Sequence, residues 1–193
     1  MGKINREGQA HVLTKYEEQR ILDNLDPPWS VIFAIGIYTG ERWGAIRQLS
    51  TGDVYAFPGE PLSTITFRSI TRKQSAGKKA NTRQVYVHPT LRAILDGYHP
   101  KRDGLCFPCP SDPTRPVSPQ QCDYHLREAV KKAGLEHLGI STHSTRRTFI
   151  TRLANSKVPL HELKALTGHK SMDSLMRYID GNPDTQKSAI LSL

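Results

Sequence analysis

Residues 29–38 read WSVIFAIGIY, apolar over most of their length and followed at once by Thr39-Gly40. A helix with so little polar surface has no solvent face to offer and is expected to be buried. The run falls well short of the ~20 apolar residues that span a bilayer, so its burial must come from the rest of the chain. Signals on either side set its limits. Thr14-Lys-Tyr-Glu17 has the capping-box pattern and opens a helix to about residue 25. Pro27-Pro28 stops that helix and primes the apolar one. After Thr39-Gly40 a third helix is expected to about residue 49, with Ile46 and Leu49 on one face and Arg42 at its N-terminal end, where backbone N–H groups favour an anion.

Further along, periodicity changes. Three short strands are expected near 54–57, 63–68 and 83–87, forming one small three-stranded antiparallel sheet whose last two strands make a hairpin with a long basic tip. Residues 89–98 read as a helix and 100–119 as a loop-rich stretch broken by prolines. Ser118 caps a helix through about residue 133, closed by Gly134. Helices at 143–155 and 159–167 follow, the latter with Leu160, Leu163 and Leu166 as a packing stripe. Gly168 ends it and exposes His169, and a helix opening at Ser171 carries Leu175, Met176 and Tyr178. The fold class is α+β, mainly helical.

The 193 residues suffice for one sizeable domain and hardly for two. A net charge of +9 implies a polyanionic partner. Its distribution sharpens this, because residues 68–83 hold Arg68, Arg72, Lys73, Lys78, Lys79 and Arg83 with no acidic residue. Such a segment fits a loop lying along a DNA backbone. No secretory signal opens the chain, so a cytoplasmic location and no membrane association are expected. Cys106, Cys109, Cys122 and His125 imitate a zinc-site spacing. The simpler reading places Cys106 at the end of a buried strand, Cys109 in a proline-rich loop and Cys122 on a helix. No metal and no other cofactor is expected.

The chemistry-bearing residues are spread along the chain in a fixed order. Arg42 stands in Thr39-Gly-Glu-Arg42, Lys78 in the basic segment, His143 and Arg146 in His143-Ser-Thr-Arg146, His169 in Thr167-Gly-His169, and Tyr178 nine residues later. Arginines grip non-bridging phosphate oxygens, histidines hydrogen-bond and move protons, a lysine can protonate a leaving oxygen and a tyrosine can attack phosphorus. His143 and Arg146, three apart on a helix, share a face and can meet one phosphate. His125, His137 and His161 lack such a context.

TGERWGAIRQLSTGDV (39–54) resembles the first box of the tyrosine recombinases, also called the phage integrase family. Residues 142–179 resemble the second box almost from end to end, and the likeness covers roughly 12 to 180. It implies a tyrosine-recombinase catalytic domain at 13–183, a leader or linker stump at 1–12, and a tail at 184–193 that either folds back on its own core or, as the family suggests, docks onto a neighbouring protomer. The implied activity is site-specific DNA recombination on double-stranded DNA through a 3′-phosphotyrosyl intermediate, by a monomer in isolation that forms a tetramer on paired sites.

In that likeness Arg42, His143, Arg146, His169 and Tyr178 take the family's catalytic positions. Lys78 takes the lysine position, seven residues before Val85, with Lys79 and Lys73 as alternatives. Two positions depart from the family pattern: Ala45 replaces a usual carboxylate, for which Glu41 is a candidate substitute, and Tyr86 replaces a usual proline. A catalytically inactive DNA-binding relative and a type IB topoisomerase-like enzyme are the alternatives. The intact catalytic set weighs against the first, the short chain and tight His169–Tyr178 spacing against the second. Residues 1–12 cannot supply the N-terminal DNA-binding domain most members carry, which leaves a fragment or a compact stand-alone recombinase.

Overall fold

The computed structural model describes residues 9–72, 81–156, 158–168 and 172–176. The chain divides into two compact units, 1–149 and 150–193. In the first, α1 (Lys15–Leu22) starts at the expected capping box, with Thr14 Oγ1 accepting the Glu17 N–H and Glu17 accepting the Thr14 N–H. The apolar segment forms α2 (Trp29–Thr39), and its residues from Val31 to Ile37 are all buried. It packs against α1, α3 (Trp43–Ile46), α4 (Pro89–Asp96) and α5 (Pro119–Lys132). The last of these is capped by Ser118 with Gln121 as its reciprocal partner. Helix α3 is shorter than expected, with hydrogen-bonded turns continuing to Leu49. Four residues make no extended helix terminus for an anion.

The strands correct the expected sheet. Among the described residues, six strands form three separate antiparallel two-stranded ribbons. β1 (Tyr55–Phe57) turns back on β2 (Glu60–Pro61) instead of joining β3 (Thr64–Phe67). β3 pairs only with β4 (Arg83–Tyr86), in the register Phe67 to Arg83 and Ile65 to Val85. The third ribbon, β5 (Pro108–Cys109) with β6 (Asp112–Pro116), lies in the stretch read as loop. A two-stranded ribbon leaves every strand one free edge, where proline's missing N–H costs no ladder bond.

Helix α6 (Thr142–Asn155) begins in the first unit, and its early turns lock onto α2 and α3. Trp43 Nε1 donates to Thr145 Oγ1 at 3.1 Å, which in turn donates to the Thr142 carbonyl. The approach is so close that a Cβ on Gly36 would lie 2.8 Å from Thr145 Oγ1 and 2.9 Å from Trp43 Nε1. Leu13 is tied in as well, its N–H bonding Thr148 Oγ1 at 2.8 Å.

In the second unit, α6 ends at Asn155, α7 (Leu160–Thr167) stops at Gly168 in the left-handed region, and α8 (Met172–Met176) follows. The α7 stripe is narrower than expected. Leu163 is fully buried, while Leu160 and Leu166 are each more than two-fifths exposed. Steps of three residues drift by about 60° per step on a 3.6-residue helix, so the outer leucines sit on the flanks of Leu163. Among the described residues no helix is long and apolar enough to cross a membrane.

Gly40 sets the geometry where α2 turns into the site. Its φ is +63°, and an added Cβ would overlap the Phe149 ring. Replacing Gly40 by alanine therefore combines left-handed strain with overpacking, at an expected cost of about 2–4 kcal/mol of unfolding free energy. Urea denaturation of Gly40→Ala against the parent chain measures it; a loss below about 0.5 kcal/mol would contradict the packing described.

Candidate active site

A cavity of about 370 Å³ opens in the first unit, lined by Arg42, Arg47, Arg72, Arg146 and His143, with Trp43, Gly44, Ala45, Gln48, Thr71, Pro119 and Thr142 completing its wall. Four arginines and a histidine line it, and among the described residues no carboxylate does. Three of the proposed catalytic residues, and Arg72 of the proposed DNA-binding set, thus come together, although Arg42 stands 101 positions before His143. Arg42 is the residue just before α3, exposed at the cavity mouth. His143 is exposed on the first turn of α6, and Arg146 lies one turn deeper and is buried. Three apart on one helix, both line the same cavity.

Arg146 is fixed by the backbone: its Nη1 donates to the Gly40 carbonyl at 2.8 Å. That carbonyl belongs to the αL residue that ends α2, so the turn conformation places the guanidinium.

Beneath the cavity is Glu41, 1 % exposed. Its Oε2 accepts from Arg72 Nε at 3.0 Å and from Arg83 Nη1 at 3.2 Å, while Oε1 accepts the Arg42 backbone N–H at 3.0 Å. Burial pushes the Glu41 carboxyl up, but the charges of Arg72, Arg83 and Arg146 with the Arg42 N–H outweigh it and hold it below the ordinary carboxylate value. Glu41 therefore faces inward, as the candidate substitute for the missing carboxylate at Ala45 would. It reaches Arg42 through the main chain and leaves the Arg42 guanidinium outside its hydrogen bonds. Ala45 itself is buried in the cavity wall.

The basic segment divides by burial. Arg83 Nη2 also donates to the Thr39 carbonyl at 2.8 Å, and the residue is only 9 % exposed. Its charge is spent inside the fold, a correction to its reading as a DNA-facing residue. The reason is register: Arg83 stands opposite Phe67 on the inward face of the β3–β4 ribbon. Arg72 is likewise drawn inward and lines the cavity. Arg68 remains open, its side chain 58 % exposed while Nε pairs with Asp53 at 2.7 Å. Lys73, Lys78, Lys79, His169 and Tyr178 lie outside the described residues. Sequence reasoning did not single out Arg47, whose Nη1 bonds the Val117 carbonyl at 3.0 Å. Nothing in its spacing distinguishes it from an ordinary surface arginine.

The cysteine pattern does not assemble. Among the described residues no three His, Cys, Asp or Glu side chains gather as a metal site. Cys106 and Cys122 are buried thiols, raised by burial to about 12 and about 11. Cys109 lies on strand β5, a correction to its reading as a loop residue. Cys106 follows an isolated bridge between Ser50 and Leu105 and does not end a regular strand. His125 stacks on Trp29 with ring centroids 4.2 Å apart.

Comparison with known proteins gives this arrangement a family. Over 75 residues the chain is 36 % identical to a Bacillus subtilis (strain 168) protein described as a probable integrase/recombinase, covering 39 % of this chain and 40 % of that one. The match thus spans about two-fifths of that relative's length. Among solved structures, the catalytic domain of bacteriophage HP1 integrase superposes with a TM-score of 0.64 at 24 % identity, over 94 % of both chains. The XerA recombinase superposes with a TM-score of 0.69 at 20 % identity, over 96 % of this chain and 66 % of that one. At these identities the superpositions speak to the fold, which is that of a tyrosine recombinase catalytic domain. The family model for the phage integrase family matches residues 11–184, so the chain belongs to that family.

Proposed function

We propose that the chain is a site-specific DNA recombinase that cuts and rejoins double-stranded DNA through a 3′-phosphotyrosyl intermediate. The observation that carries this is the cavity in which Arg42, His143 and Arg146 converge, with no carboxylate among the described residues of its lining. Such a cavity attracts a phosphodiester and concentrates positive charge where the pentacoordinate phosphorus accumulates negative charge. Arg42, at the mouth, and Arg146, anchored below, clamp the two non-bridging oxygens. His143 takes the phenolic proton or adds a phosphate contact.

In this proposal the phenolic oxygen of Tyr178 attacks phosphorus, the bond to the 5′-oxygen breaks, and Lys78 gives that oxygen a proton. His169 hydrogen-bonds a non-bridging oxygen. A 5′-hydroxyl from another strand then attacks the phosphotyrosine and restores the phenol. Bond energy is conserved in the covalent link, so each strand exchange is nearly isoenergetic and needs neither ATP nor a metal. Residues 13–183 form the catalytic domain in this account. The 184–193 tail docks onto a neighbouring protomer in a DNA-bound tetramer, and the work is done on DNA in the cytoplasm. Arg68, at the exposed start of the basic segment, adds a backbone contact whose contribution falls with salt.

The expected outcome for Tyr178→Phe is loss of covalent protein–DNA adducts with DNA binding nearly unchanged, measured by denaturing gels and gel shift. Persistent adducts in that variant would assign the nucleophile elsewhere. Arg42→Ala and Arg146→Ala should each lower single-turnover cleavage by at least about 10²-fold, the scale of one lost oxyanion contact. Near-normal cleavage by either would remove that arginine from the clamp.

Replacing the leaving 5′-oxygen by sulfur removes most of the need for a general acid. It should rescue Lys78→Ala and leave Arg146→Ala inactive. Rescue of Lys79→Ala or Lys73→Ala in place of Lys78→Ala would move the acid to that lysine.

A further inference from the structure

We infer that Arg72 is a further catalytic residue, a third guanidinium on the phosphate, and that Glu41 is the positioning residue that aims it; this rests on the cavity being the phosphate site proposed above. Arg72 directly follows the short 3₁₀ turn Ser69–Thr71 after β3. An arginine whose task is to lie along DNA outside the site would extend into solvent, as Arg68 does. Arg72 instead folds inward with its side chain 10 % exposed and lines the cavity beside Arg42 and Arg146.

Its guanidinium is held on two sides. Nε donates to Glu41 Oε2 at 3.0 Å, and Nη1 donates to the Asn81 carbonyl at 2.7 Å. The third nitrogen, Nη2, makes no hydrogen bond among the described residues. A planar group pinned at two nitrogens has little rotational freedom left to lose when the third finds an acceptor. The arrangement is preorganised for an anion. The carboxylate that pins it has no competing role in solvent, since Glu41 is almost fully enclosed. An arginine contributes hydrogen bonds and charge rather than a transferred proton. Arg72 therefore stabilises charge on the phosphate and leaves protonation of the leaving group to another residue. Two non-bridging oxygens offer several lone pairs, enough for donors from three arginines.

The test uses the full chain labelled with ¹⁵N-arginine. Side-chain N–H signals, assigned through Arg42→Lys, Arg72→Lys and Arg146→Lys, are followed while inorganic phosphate is titrated at constant ionic strength. The expected result is that signals of Arg42, Arg72 and Arg146 move together with one apparent Kd. Arg72→Gln should weaken phosphate binding about tenfold, the effect of one charge-assisted hydrogen bond. Glu41→Gln should weaken it similarly, and the double variant should bind no more weakly than Arg72→Gln alone, because Glu41 acts through Arg72. Arg92→Gln, on the exposed face of α4, should stay within about twofold of the parent.

If Arg42 and Arg146 respond while Arg72 does not, the inference is overturned and the phosphate reading of the cavity stands. If none of the three responds, that reading falls and the inference with it. A double variant that binds more weakly than either single one overturns the positioning role of Glu41. The titration of the parent chain decides the point for Arg72 even if Glu41→Gln fails to fold.

Discussion

One carboxylate, Glu41, sits where the elements of the first unit meet around the site. It joins the turn after α2, the start of the hairpin connection at Arg72 and the first residue of β4 at Arg83. A buried ion cluster of this kind contributes little net stability, since desolvation offsets much of the attraction. Removing one member is different, because it strands the others without a partner in a medium that solvates them poorly. The cluster is therefore better understood as a device for alignment. Three segments distant in sequence must find the same two oxygen atoms, and the cavity wall takes its shape from that agreement.

The packing above it shows the same economy. Gly36 lets α6 approach α2 to the point where Trp43 and Thr145 hydrogen-bond in the gap. Any side chain there would push α6 outward and carry His143 and Arg146 with it. The apolar α2 thus does more than fill the core: it is the fixed surface against which the arginines are placed.

Much of this was legible in the residues. The capping box at Thr14, the cap at Ser118 and the apolar density of 29–38 located their helices because those signals are local. The His143–Arg146 spacing predicted a shared face for the same reason. What failed was whatever depends on partners far along the chain. The strand near residue 55 has neighbours on both sides in sequence, and only the tight turn to Glu60 decides that it pairs forward with β2. In the basic segment, composition alone made Arg68, Arg72 and Arg83 equivalent. Their fates diverge because Arg83 stands opposite Phe67 in the ribbon and Arg72 finds Glu41, facts set by register and by a contact across thirty-one residues. The cysteine pattern misled for the converse reason, since spacing along a chain carries no information about which way the thiols face.

The anchoring of Arg146 to the Gly40 carbonyl bears on how such a site can change over generations. A guanidinium held by a carboxylate loses its support through one substitution in the partner. A guanidinium held by a main-chain oxygen has a partner that every residue type supplies, so no replacement of side-chain chemistry at position 40 deletes the acceptor. Only a change in backbone conformation can, and glycine at that turn is what holds the conformation. The vulnerability is thereby moved from chemistry to shape.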